Sequence, residues 1–347
     1  MRAVVIHGYG GLDSVVVEDV PRPQPVEPDD VVVAVRAAAL NHLDLFVVAG
    51  LPGITHQFPH VLGCDAAGVV EAVGAKVTRV KAGDRVIINP GVWCRTCEAC
   101  LRGEEQLCTT YRVLGEHVQG TFAEAVRVRE DTLELVPKGV SWTEAAAFPL
   151  ATLTAWHMIH TRGAVRPGQT VLVWGIGGGV AQAALQAAKL LGARVIVTSS
   201  SDAKLAAARS LGADEGINHR AADVAKEVRR LTGKRGCDVV IDNVGEQTWD
   251  VSLRCLARGG RLVTCGGTTG PMVTTDVRRL FWHQWSILGS TMGSRSEFEH
   301  ITQRLARGEL RSVVDRVYPM EQARAALERL EQGGQFGKLV LETGAAG

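Results

Sequence analysis

The chain has 347 residues, 46% of them hydrophobic and 22% charged, with a formal net charge of +1. Length alone suggests about two domains, and the absence of any Lys/Arg block argues against a nucleic-acid or anionic-membrane partner. No apolar run is long enough to span a bilayer, because the most apolar stretch is broken by Gln182, Gln186, Lys189 and Arg194. The opening MRAVVIHGYG has no apolar core before a cleavage site, so a cytoplasmic setting with reduced thiols is expected.

Residues 1 to about 135 are rich in Val, Gly and Pro. Short runs such as VVVAVRA and AGVVEAVG lie between turn signals such as PRPQPVEPDD and KAGDR, which predicts an irregular β-domain. Within it, residues 91–111 hold four of the eight cysteines, spaced Cys94-x2-Cys97-x2-Cys100-x7-Cys108. Four thiolates close a tetrahedral zinc and leave no open position, so this lobe predicts one structural zinc per subunit. Cys64, Cys237, Cys255 and Cys265 are scattered and form no framework.

From about 150 to 293 the rhythm becomes apolar strand, alanine-rich helix, strand. TVLVWG, VAQAALQAAKLLG, RVIVTSS, DAKLAAARSLG, CDVVIDNVG, TWDVSLRCLARGG and GRLVTCGG follow in order, which predicts βαβ units and a parallel sheet. The tail is expected to carry one helical stretch, MEQARAALERLEQGG, and a closing strand, GKLVLE. The expected domains are therefore 1–151 with 294–347, and 152–293. The fold class is α/β: an irregular β-domain plus a doubly wound parallel-sheet domain.

The stretch VLVWGIGGGVAQAALQAAK (171–189) reads as strand, glycine turn and helix. Gly175, Gly177, Gly178 and Gly179 lie where backbone must approach a phosphate. Val180 opens the helix, and Ala181 lets it pack on the sheet. Free N–H groups at the helix start suit a pyrophosphate. The next strand ends in Thr198-Ser199-Ser200-Ser201, without the acid that usually binds the ribose hydroxyls. Ser199, Ser200 and the nearby Lys204 suit a 2′-phosphate, so NADP(H) is expected, with NAD(H) left open. Val244 and Gly266 end parallel strands, where open α/β sheets place ligands.

The order of β-domain, cysteine lobe, glycine-turn domain and returning tail resembles the medium-chain dehydrogenase/reductase superfamily of zinc-containing alcohol dehydrogenases and quinone oxidoreductases. GCDAAGVVEAVG, KAGDRV, GTFAEAV and FGKLVLE carry the likeness along essentially the whole chain. The resemblance implies a GroES-like β-domain and a Rossmann cofactor domain. It also implies a catalytic zinc held by three positions, and here the chain departs. They are Asn41 in NHLD, Cys64 in GCD and Leu150 in PLATLTAW. Leucine cannot ligate and a neutral amide is a poor zinc ligand, so the usual catalytic zinc is expected to be absent. Asp44, His60, Cys64 and His117 have ligand chemistry and leave an alternative metal site open.

Zinc lowers the cost of ionising a bound alcohol. Without it, hydride transfer to an activated C=C or a quinone is the expected reaction, aided by a few hydrogen-bond donors. Asn41 would bond the substrate oxygen or the nicotinamide amide, or serve as a turn residue. Asp44 would orient a neighbour or cap a helix. Cys64 is a catalytic candidate whose commoner fate is burial. The resemblance places His42 and Lys338 on cofactor phosphates. Thr152 and Thr154 stand at the crossing into the cofactor domain, where polar groups can reach the nicotinamide. WSILGSTMG is expected to form an exposed sheet edge that pairs with a second subunit, giving a homodimer or homotetramer. Two other functions stay open: a zinc-dependent alcohol or aldehyde dehydrogenase with a non-standard site, and a non-catalytic NADPH-binding protein.

Overall fold

A computed structural model describes residues 1–344. The chain separates into two compact units, Met1–Ala151 with Gly293–Gly347, and Thr152–Met292.

The first unit is built on a seven-stranded sheet around Asp30–Ala39, whose β-branched run DVVVAVRAAA is buried on both faces. This strand pairs antiparallel with Asp65–Val73, Ala125–Arg129 and Lys338–Glu342. Register here has a chemical consequence. Ala39 lies opposite Asp65 on one side and opposite Val340 on the other. Asn41, two residues past Ala39, is therefore carried to the ends of both neighbours, beside Asp65 and Lys338. Val33, Val35, Leu40, Leu62, Phe122 and Leu339 are among the apolar side chains that fill the core beneath.

The second unit is a six-stranded, all-parallel sheet. Its order is Glu215–Asn218, Arg194–Ser199, Thr170–Val173, Cys237–Asp242, Leu256–Thr264 and Ser286–Gly289. Read in chain order this is 3-2-1-4-5-6, the doubly wound arrangement. The order reverses between Thr170–Val173 and Cys237–Asp242, so the ligand crevice of such a sheet opens there. Ser286–Gly289 and Glu215–Asn218 are the two edge strands.

Two expectations are corrected. The tail holds a second helix, Arg295–Ala306, as well as Ala323–Glu331. Ser294 and Glu297 cap it reciprocally, a Ser-x-x-Glu signal present in the chain. In TWDVSLRCLARGG the helix stops at Cys255, and Leu256 already begins the next strand. Among the described residues, no helix is long and apolar enough to cross a membrane.

Candidate active site and metal lobe

The cysteine lobe hangs between two short paired strands, Gly91–Val92 and Arg112–Val113. Arg95 anchors its tip through Asp131, at 2.9 Å, and Asp29. The ligand atoms of Cys94, Cys97, Cys100 and Cys108 lie within 4.8 Å of one another. A tetrahedron with Zn–S bonds of about 2.3 Å needs sulfurs about 3.8 Å apart. Cys94 and Cys100 stand at 3.9 Å.

Backbone N–H groups already point at these sulfurs, Cys94 N–H to Cys108 Sγ and Cys97 N–H to Cys94 Sγ, both at 3.3 Å. Such bonds from the Thr96 and Cys97 amides hold the Cys94 thiol down to about 5, while burial pushes Cys100 up to about 12. Four sulfur donors at this spacing suit a cation held among them. The donor set thus fits a zinc held by four thiolates, with no position left for substrate.

The three positions where the family's catalytic metal would be held do not fit one. Asn41 begins the helix His42–Ala49, and its N–H donates to Asp44 Oδ2 at 2.7 Å. Its side-chain Nδ2 donates to Asp65 Oδ2 at 2.8 Å and reaches Cys64 Sγ at 3.3 Å. Its Oδ1 accepts from Lys338 Nζ, which also donates to Asp65 Oδ2 at 3.1 Å. Leu150 contributes only its backbone N–H, to Asp65 Oδ1 at 2.8 Å.

The network is enclosed: Asn41 is 8% exposed, Asp44 2%, Lys338 5%, and Cys64 and Asp65 0%. Burial raises the Asp44 carboxyl to about 7, against the pull of the Asn41 N–H and the Lys338 charge. Burial, with the Asp44 and Asp65 charges, pushes the Cys64 thiol well above its usual value. A neutral, enclosed thiol is no nucleophile.

Several expected roles change accordingly. Lys338 is drawn inward to Asp65 and Asn41 instead of standing free for a phosphate. Both ends of the Asn41 amide are committed to protein. Asp44 caps the helix, its carboxylate accepting the Asn41 N–H. His42, at the helix start, stays open to solvent, although the surrounding protein and the Lys338 charge lower its pKa.

The alternative metal site is not assembled. His60 Nε2 donates to the Gly115 carbonyl at 2.9 Å, and His117 Nδ1 accepts from Val113 N–H at 3.2 Å. Among the described residues, only the four cysteines bring three or more ligand atoms together. Asp65, which sequence reasoning left without a role, is the centre of the network. The only signal was its place beside Cys64 in GCD.

In the second unit the glycine turn follows Thr170–Val173. Gly178 is the N-cap of Gly179–Leu190, and Val180 is in its first turn. Gly175 has φ +67°, and a Cβ there would meet no protein atom within 4 Å. The backbone thus lies bare to open space, as a pyrophosphate requires. Thr198 ties the turn to the second strand: its Oγ1 accepts from Gly175 N–H at 3.1 Å and its carbonyl from Ile176 N–H at 2.9 Å. The turn therefore fits a dinucleotide's phosphates.

At the strand tip, the buried Ser199 Oγ accepts from Ser201 N–H at 3.1 Å, and Ser201 Oγ caps the helix Asp202–Ser210 through Lys204 N–H. Ser200 and Lys204 are half-buried. The first acid, Asp202, accepts from Asn218 Nδ2 at 2.8 Å. Val244 and Gly266 stand in the loops that follow Cys237–Asp242 and Leu256–Thr264. Thr154 is buried and donates to Met292 Sδ at 3.7 Å. Thr152 is buried as well.

Two family models match the chain, "Alcohol dehydrogenase GroES-like domain" over residues 27–138 and "Zinc-binding dehydrogenase" over 179–307. A zinc-type alcohol dehydrogenase-like protein of Schizosaccharomyces pombe is 34% identical, covering 99% of each chain. A quinone oxidoreductase of Pseudomonas aeruginosa is 32% identical, over 98% of this chain and 99% of that one. Among solved structures, an NAD-dependent alcohol dehydrogenase is 47% identical with a TM-score of 0.95, over 99% of this chain and 100% of the other. With a GroES-like domain, a parallel-sheet cofactor domain and a four-cysteine lobe in one chain, the protein belongs to the medium-chain dehydrogenase/reductase superfamily of NAD(P)-dependent oxidoreductases.

Proposed function

We propose that this protein is an NADPH-dependent reductase of activated double bonds or quinones that works without a catalytic metal. One observation carries the reading. The three family ligand positions hold an amide already bonded at both ends, an enclosed neutral thiol and a leucine, and the Lys338 ammonium is bonded to Asn41 and Asp65 among them. A cation already neutralises Asp65, so a second cation would meet repulsion as well as poor ligands.

A nicotinamide, when bound, supplies a hydride. The chain supplies the rest: the Gly175–Gly179 turn holds the phosphates, and buried polar groups keep the site ordered. An enone or quinone already draws electrons toward its own oxygen, so modest donors suffice for the developing oxyanion. The lack of a carboxylate from Thr198 to Ser201, with Lys204 close by, supports NADPH. One zinc, held by Cys94, Cys97, Cys100 and Cys108, is structural, and its thiolates suit a reducing cytoplasm. The unpaired edge of Ser286–Gly289, with Phe281 and Trp282 each 65% exposed nearby, supports a homodimer formed through that edge.

The test is metal analysis of undialysed protein together with NADPH oxidation across quinones and enones. One zinc per chain and turnover insensitive to chelators are expected. Two zincs, or an alcohol oxidation abolished by chelators, would favour the second reading, an NAD(H)-dependent alcohol dehydrogenase. That reading draws support from the 47% identical structure so named.

A further inference from the structure

Asp242 ends one of the two strands between which the sheet order reverses and is 0% exposed, yet among the described residues no Lys, Arg or His bonds it. Neutral donors surround it instead. Its Oδ1 accepts from the N–H groups of Val244 at 2.8 Å and Gly245 at 3.1 Å. Its Oδ2 accepts from Thr248 Oγ1 at 2.8 Å and Ser252 Oγ at 2.6 Å. The Ser252 oxygen in turn accepts from Trp174 Nε1 at 2.8 Å. Trp174 directly precedes Gly175 of the phosphate turn. One unbroken chain of hydrogen bonds thus runs from the phosphate turn, under the reversal point, to the Val244–Gly245 backbone.

That backbone supports a second loop. Gly245 has φ +89°, and a Cβ there would stand 2.6 Å from the Gly270 carbonyl, so the two loops pack main chain to main chain. Thr269 donates its N–H and its hydroxyl to the Val244 carbonyl, at 2.9 and 2.8 Å. Both strand-end loops beyond the turn are therefore hung from Asp242. A carboxylate needs no cation when several dipoles are aimed at it, but every one of them must then stay in place.

We propose that Asp242, with Thr248, Ser252 and Trp174, is a positioning clamp. It sets the 243–245 and 266–270 loops at a fixed distance from the glycine turn, and so sets where the nicotinamide half of a bound dinucleotide rests. The turn and the strand tip at Thr198–Ser201 hold the adenosine half without it. All four side chains are buried.

The consequence is a loss confined to one half of the cofactor. In the full-length protein, Thr248→Val takes the hydroxyl donor from Asp242, Trp174→Phe removes one hydrogen bond, and Ser252→Ala removes two. Binding is measured by calorimetric titration with NADPH and NADH, and with the fragments ADP-ribose and 2′-phospho-ADP-ribose. Dinucleotide affinity should fall about tenfold in the Thr248 and Ser252 variants, the size of one charge-assisted hydrogen bond, and about fivefold in Trp174→Phe, which loses a neutral one. Fragment affinity should stay within about twofold, and Thr248→Ser should restore the parent value. A general loss of structure would weaken fragments and dinucleotides alike and would overturn the proposal. So would dinucleotide affinities that stay within about twofold of the parent in all three variants.

Discussion

Replacing Lys338 by methionine tests the buried network most directly. The change keeps most of the side chain's length and removes one positive charge from a place that is 5% exposed. Asp65, fully enclosed, would keep two donors, Asn41 Nδ2 and Leu150 N–H, each at 2.8 Å. Asn41 Oδ1 would lose the ammonium as a donor. Removing one partner of a buried ion pair costs about 3–5 kcal/mol. The two surviving N–H bonds place this case at the lower end, about 3 kcal/mol. At roughly 2–4 °C per kcal/mol, the melting temperature should drop by about 6–12 °C. Urea unfolding followed by tryptophan fluorescence gives the free energy, and scanning calorimetry the temperature. Adding Asp65→Asn removes the stranded charge, so the double variant should recover about 2 kcal/mol relative to the sum of the singles. A Lys338→Met protein within about 1 kcal/mol of the parent, or strictly additive singles, would refute the reasoning.

Asp44 and His60 should give stability slopes of opposite sign. Asp44 keeps its proton up to about 7 in the fold, whereas an unfolded carboxyl releases it near 4, so its contribution is greatest in acid and fades as pH rises between those values. Asp44→Asn should therefore gain on the parent by about 2–3 kcal/mol between pH 5 and 7, measured by urea unfolding at each pH; a constant difference would refute this. Burial lowers His60 to about 4, so its neutral form favours the fold above the usual 6.5, and that contribution is lost as pH falls from there toward 4. His60→Gln should flatten this acid limb. Gly175→Ala should cost only about 1–2 kcal/mol of stability, from the left-handed backbone, because no protein atom crowds the new methyl. The same variant should weaken NADPH binding at least about tenfold, and unchanged binding would mean the phosphates lie elsewhere. Lys204→Gln should raise the NADPH KM about five- to tenfold and leave that for NADH alone, and equal effects on both would remove it from the 2′-phosphate.

Much of the architecture is local and was legible for that reason. Alternation of apolar strands with alanine-rich helices requires a parallel sheet, since each strand must be followed by a crossover. The glycine turn announces itself because glycine takes the left-handed backbone at Gly175 without steric cost. The cysteine lobe is a matter of spacing within fifteen positions, and coordination number alone makes it a closed site. The tail helix Arg295–Ala306 was also written locally, in its Ser294/Glu297 cap, but its mixed polar face hides it from a reading that follows apolar rhythm.

Residue types far apart in the chain are a different matter. Sequence alone shows that Asn41, Cys64 and Leu150 make a poor donor set for zinc, since donor chemistry belongs to the side chains themselves. Tertiary structure decided what stands there instead. Strand register, with Ala39 opposite both Asp65 and Val340, brings residues 41, 65 and 338 into one enclosed space and turns Lys338 inward. The same holds for Asp242, whose partners lie up to 78 positions apart along the Trp174–Ser252 link. Pairing across a sheet is set by the packing of the whole core, and no short window of sequence contains it.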